Sequence, residues 1–172
     1  MPRDVKAAES TERSEDAPSK PLTVERVFTT EPDLRYEGDK LVIWFTDPPG
    51  AVVQLTEATV FTKGMAEWMV GPGFSALHER FARGTELRML LDLRPMTARE
   101  PAARPVIMSA ATRHMFMFAK LGVIAPAKPP PLYMITLHSA IALLSAIGPE
   151  IRIFETIDGA LQTLGLQAAT SQ

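Results

Sequence analysis

The chain has 172 residues, 46% of them hydrophobic, the size of one domain with enough apolar side chains for a packed core. Its 18 basic and 20 acidic side chains give a formal charge of −2, too balanced for the broad positive field that attracts phosphate backbones, so nucleic acid is excluded as a principal partner. With no cysteine there is neither a disulfide framework nor a thiolate metal site; packing must carry stability, and a cytoplasmic location is the expectation.

Met1 to Pro21 mixes both charge signs, lacks aromatics and hydrophobic periodicity, and offers no apolar stretch for a signal peptide. Residues 1–22 are therefore expected to be a disordered charged tail, 23–166 an α/β domain and 167–172 a flexible C-terminus. Val24, Val27 and Phe28 lead into the domain. Leu41-Val-Ile-Trp-Phe45 is a dense strand-type run, preceded by the turn residues Glu37-Gly38-Asp39 and ended by Asp47-Pro-Pro-Gly50, which predicts a β-hairpin.

Between Ala51 and Val70, Val53, Leu55 and Val60 suit a strand, whereas Met65 to Trp68 suits a helix. Gly71-Pro72-Gly73 is expected to break the chain, with Pro72 opening a helix that presents Phe74, Leu77 and Phe81 on one face until Gly84. Met89-Leu-Leu91 and Leu93 form a nearly continuous apolar run, the pattern of a central parallel strand covered on both faces.

Arg94 to Pro105 reads as a rigid loop, and the stretch from about Pro105 to Lys120 as a helix closed by Gly122. Pro126 to Pro131 reads as an extended linker, and Leu132 to Leu137 as a strand. Ser139 is placed to cap a helix over Ala140 to Ile147, stopped by Gly148-Pro149. That apolar run is far shorter than the roughly 20 residues a bilayer span requires, so no membrane span is expected. Ile151 to Phe154 is a last strand, and Thr156 caps a helix with Ile157, Ala160, Leu161 and Leu164 on one face, ended by Gly165. A hairpin followed by alternating helices and strands predicts an α/β fold with a mixed, mostly parallel sheet.

This layout resembles the STAS-like fold of the anti-sigma-factor antagonists and the SpoIIAA-like domains, over roughly Val24 to Leu166. Leu90-Leu-Asp-Leu93 resembles the central strand, Ile151-Arg-Ile-Phe154 the last strand, and Thr156 to Leu164 the closing helix. The resemblance implies a non-enzymatic module that docks regulatory partners or, in some relatives, binds a small apolar ligand or nucleotide. In the antagonists an Asp-Ser-Ser-Gly-like turn after the central strand carries a phosphorylated serine. The matching stretch here, Thr97-Ala-Arg-Glu-Pro101, contains no serine, which leaves Thr97 as its hydroxyl.

Arg94, Arg99 and Arg104 fall in the loop after the central strand, where open α/β sheets bind ligands and where Arg forks suit carboxylate or phosphate groups. Solvated loop arginines, partly neutralised by Glu100, are the plainer account. On the following helix His114 shares the core stripe with Ile107, Ala111, Phe118 and Leu121. Phe116 points roughly opposite, so that with Met108 and Thr112 it offers a homodimer or partner surface.

Met89, Met96, Met108, Met115, Met117 and Met134 suit either core filling or an adaptable apolar ligand pocket. His78-Glu79 lacks a second zinc-binding histidine, and His138 stands alone. No nucleophile elbow or phosphate loop occurs, and Asp92 and Glu100 suit loop hydrogen bonding better than acid–base work. The sequence therefore points to a non-catalytic domain without cofactor or metal, docking a protein partner through this loop and helix. Its rival is a sensor or carrier of a small apolar or anionic ligand.

Overall fold

The computed structural model describes residues 24–126, 129, 133–146 and 148–169. The expected tail and most of the Pro126 to Pro131 linker lie outside the described residues. The elements in chain order are β1 (Leu34–Tyr36), β2 (Leu41–Asp47), β3 (Gly50–Leu55), β4 (Thr59–Phe61), α1 (Lys63–Trp68), α2 (Phe74–Arg80) and β5 (Leu87–Asp92). They continue with β6 (Met96–Arg99), α3 (Ala103–His114), β7 (Phe118–Ile124), α4 (Tyr133–Ser145), β8 (Glu150–Phe154), α5 (Ile157–Leu164) and β9 (Gln167–Ala168).

The main sheet runs β1-β2-β3-β5-β7-β8, with β9 also on β2. β1, β2 and β3 are mutually antiparallel neighbours, while β3, β5, β7 and β8 run parallel. The mixed α/β sheet expected from the sequence is thus the sheet observed. The expected hairpin is present, with Glu37, Gly38 and Asp39 all at positive φ in its turn. Gln167 and Ala168, expected to belong to the flexible end, instead pair with Asp47 and Thr46 as β9.

β5 occupies the predicted central position, hydrogen-bonded to β3 on one side and β7 on the other. Because strand side chains alternate, the sheet builds two cores. Leu41, Ile43, Val53 and Met89 pack beneath α1, α2 and α3, and Val42, Trp44, Val52 and Leu90 pack beneath α5. Arg88 Nη1 donates to the Leu164 carbonyl at 2.7 Å, holding the end of α5 against β5. At the other end of α5 the Thr156 hydroxyl accepts from the Gly159 N–H at 3.2 Å, and Gly165 adopts φ 66° beyond the last turn, as the capping signals predicted.

Four expectations are corrected. Arg94 to Pro105 is not a loop throughout: Met96–Arg99 forms β6, paired in parallel with β4, and α3 begins at Ala103 with Pro105 in its first turn. The Gly71-Pro72-Gly73 segment does not break the chain: Met69–Gly73 forms a π-helical turn that carries α1 into α2, with Pro72 inside it. The helix after the arginine-bearing segment ends at His114, not Lys120; a single tight turn follows, and Phe118–Ile124 is the strand β7. Gly122 lies within that strand, where a Cβ would stand 2.8 Å from Leu164 Cδ1 and 2.9 Å from Phe154 Cε2, so it is needed for helix-to-sheet contact and not as a helix stop. The expected strand over Leu132 to Leu137 is the first half of α4, and Ser139 lies within that helix. Two parallel neighbours such as β7 and β8 need a crossover, and α4 supplies it. Among the described residues no helix is long and apolar enough to cross a membrane.

At the start of β3 a Cβ on Gly50 would sit 2.0 Å from the Arg88 carbonyl oxygen. Gly50→Ala is expected to lower stability by about 3 kcal/mol or more, because backbone must move. Gly122→Ala should lose only about 1–2 kcal/mol, since the atoms it meets are side-chain tips that can rotate. Urea denaturation of the two variants measures the difference.

Candidate functional site

The C-terminal end of β5 divides its side chains between two faces. Asp92 is fully buried beside Gln54, its register partner on β3. Arg94 closes on this carboxylate with a fork, Nε donating to Oδ1 at 2.9 Å and Nη2 to Oδ2 at 2.8 Å. The hydrogen bond and the nearby negative charge raise the Arg94 pKa above its ordinary value despite partial burial. Gln54 Nε2 donates to Asp92 Oδ2 at 2.9 Å and to the Glu25 carbonyl at 2.9 Å, and its Oε1 accepts from the Val27 N–H at 3.1 Å. This network ties the entering chain to the centre of the sheet. No buried side-chain polar atom among the described residues lacks a partner.

The opposite face is apolar and holds the cavity. Leu91 and Leu93, alternating with Asp92, point with Met89 and Val123 into a volume of about 330 Å³. Its walls come from α3 through Ile107 and Ala111, from the turn after α3 through Met115, from α2 through Phe74, and from α4 through Tyr133 and Ile141. Four of the six methionines singled out in the sequence line it, namely Met89, Met96, Met108 and Met115. Met117 and Met134 do not, and Met69, which the sequence reading passed over, does.

Polar groups at this cavity are few. Arg99, at the end of β6, and Arg104, in the first turn of α3, both contribute to its lining and are both exposed. Burial raises the Tyr133 phenol pKa, and the positive charge of Arg99 partly opposes that rise, so Arg99 and Tyr133 share one neighbourhood. His114, which the sequence placed on the core stripe, packs edge-on against Phe74 with ring centroids 5.3 Å apart and lies 6.0 Å from His78. Burial, then the charges of His78 and Arg113, push its pKa down, so it presents a neutral imidazole to the cavity at neutral pH.

The structure brings Arg99, Arg104 and Met108 together at the cavity and does not bring Arg94 to it. Thr97 lies on β6, its hydroxyl donating to the Thr59 carbonyl at 3.0 Å across the small parallel β4-β6 sheet. Glu100 accepts the Lys63 N–H at 2.7 Å at the start of α1. Thr112 turns its hydroxyl to the Ser109 carbonyl of its own helix at 2.9 Å, while Phe116 is 77% exposed and Met108 42% exposed. Among the described residues no group of three His, Asp or Glu side chains is arranged to hold a metal ion.

No protein-family model matches the chain, and no curated protein matches it in sequence. A solved structure does match: a protein of the DUF3478 family with a SpoIIAA-like fold from Shewanella loihica PV-4, 16% identical, with a TM-score of 0.51 over 72% of this chain and 91% of that one. The chain therefore has a SpoIIAA-like α/β fold, as its strand and helix motifs implied.

Removing the Arg94 fork leaves a carboxylate with no solvent access beside Gln54. Arg94→Ala is expected to lower stability by about 2–4 kcal/mol, the range being moderated because Arg94 itself reaches water. Chemical denaturation reads this directly. A change within about 0.5 kcal/mol would mean that Asp92 does not depend on the pair.

Proposed function

We propose that this is a non-catalytic binding domain whose site is the apolar cavity between the parallel half of the sheet and α3 and α4, and whose ligand is a small apolar or amphipathic molecule. The observation that carries this reading is the cavity itself. Protein interiors hold few voids larger than a water molecule, whereas about 330 Å³ falls within the size of ordinary small-ligand sites. Its wall is mainly apolar, with a few polar groups, the composition such sites use to combine affinity with orientation. Methionine side chains in that wall adjust to varied apolar shapes. The carboxylates nearest the strand end, Asp92 and Glu100, are committed to Arg94 and to the start of α1, which supports binding over acid–base chemistry.

A thermal-shift screen of apolar and amphipathic compounds tests the reading. A ligand present at about a hundredfold over its Kd is expected to raise Tm by roughly 5–10 °C. Ala111→Phe, which places a ring inside the cavity, should abolish that shift. A wild-type protein that no such compound stabilises, or a shift that survives Ala111→Phe, would refute the cavity as the site.

A second reading rests on a different observation. Phe116 is 77% exposed and Met108 42% exposed, with Thr112 between them in sequence, and large exposed apolar side chains of this kind act as anchors in protein contacts. Phe116 lies in the turn beyond the end of α3 and not on the helix as expected, so in this reading the exposed side of α3 and of that turn docks a protein partner or a second copy of the chain. Phe116→Asp is then expected to lower the solution mass measured by light scattering, or to weaken partner capture at least tenfold. Unchanged mass and capture would remove this face from consideration.

A further inference from the structure

Among the described residues Arg80, Arg83, Arg99, Arg104 and Arg113 have no ion pair or side-chain hydrogen bond, and of these five Arg99 and Arg104 line the cavity. Arg26, Arg35, Arg94 and Arg152 each pair with a carboxylate, and Arg88 donates to the Leu164 carbonyl. Among the described residues, neither Arg99 nor Arg104 has a carboxylate within 4.0 Å or a hydrogen-bond acceptor for its guanidinium. Of the carboxylates close to them in sequence, Asp92 pairs with Arg94 and Glu100 accepts the Lys63 N–H. Both arginines nevertheless contribute to the lining of a cavity that is otherwise largely apolar.

We infer that the ligand is an amphiphile with an oxyanion head, its apolar body in the cavity against Leu91, Leu93 and Ile107 and its head held between Arg99 and Arg104. This rests on the cavity being the binding site. The planar guanidinium fork matches the paired oxygens of a carboxylate or a phosphate monoester, and both heads share the chemistry the two arginines recognise. His114 cannot serve in their place, since burial among apolar side chains keeps its ring uncharged at neutral pH. A neutral ligand of the same length would leave two cations at the cavity without a counter-charge, and the arginines would then add nothing to its affinity.

The full chain titrated by calorimetry with decanoate, decyl phosphate and decanol tests this, because the three share one apolar body and differ in the head. Decanoate or decyl phosphate is expected to bind at least about tenfold more tightly than decanol, and the order of the two anions identifies the head. In the double variant Arg99→Gln with Arg104→Gln that preference should collapse towards unity, and Arg99→Lys with Arg104→Lys should restore part of it. Equal binding of all three by the wild-type protein would overturn the oxyanion inference while leaving the cavity reading in place. An anion preference that survives the Gln double variant would do the same. Binding of none of the three would overturn the inference and count against the cavity as a site for amphiphiles.

Discussion

The alternation of side chains along β5 is the constraint on which this molecule's organisation depends. The strand is hydrogen-bonded on both edges and covered on both faces, so every side chain it carries must go to one of two interiors. Towards its C-terminal end that rule separates neighbours of opposite character. Asp92 turns to the side of the sheet shared with Gln54, where it needs Arg94 and an amide to be tolerated without water. Leu91 and Leu93 turn to the other side and line the largely apolar cavity with residues of α3 and α4. A strand slipped by one residue would put a carboxylate in the cavity and two leucines among hydrogen-bonding groups, so the ion pair and the cavity enforce the same register.

The parts of the fold that were legible in the sequence carry local signals that tertiary contacts do not override. The β1-β2 turn has three consecutive residues at positive φ, spelled by Glu37-Gly38-Asp39. The last helix has a side-chain cap at Thr156 and a left-handed residue at Gly165. The two misread stretches, Phe118 to Gly122 and Tyr133 to Leu137, have no such local signal of their own. Phe118 and Leu121 are three apart and fit a helix stripe as well as they fit a strand, and Gly122 resembles a helix stop when nothing shows what packs on it. In the fold its missing Cβ makes room for Leu164 and Phe154. Tyr133-Met-Ile-Thr-Leu137 is rich in strand-forming residues, yet β7 and β8 are parallel neighbours, and the connection between them is helical. One wrong element type at β7 therefore forced the next one.

The site was legible in pieces but not as a site. The arginines, the methionines and His114 each stood out in the sequence for a separate reason, and the fold brings most of them to one cavity because β5, α2, α3 and α4 converge there. Met117 and Met134 stay outside it, and so does Arg94, whose exclusion follows from parity. It lies two residues after Asp92 and so falls on the same side of an extended chain, whereas Leu91 and Leu93 fall on the other. Arg99 and Arg104 escape this sorting because β6 belongs to a separate two-stranded sheet and α3 begins just beyond it. Grouping three arginines by their closeness in sequence mixed one structural ion pair with two side chains at a cavity.

Met108 contributes to the lining of the cavity and is also part of the exposed side of α3. A ligand inside and a partner outside would therefore meet at one flexible side chain. Its thioether can be displaced by either without breaking a hydrogen bond, which makes it a soft boundary between the two. The coupling such a boundary can transmit is limited to the free energy with which the ligand distinguishes the positions of Met108, and linkage requires the partner to alter ligand affinity by the same factor. The two readings of this face are thus compatible on physical grounds. The cavity has the stronger claim because it joins volume, apolar lining and uncommitted charge in one place, whereas the outer face rests on exposure at two side chains.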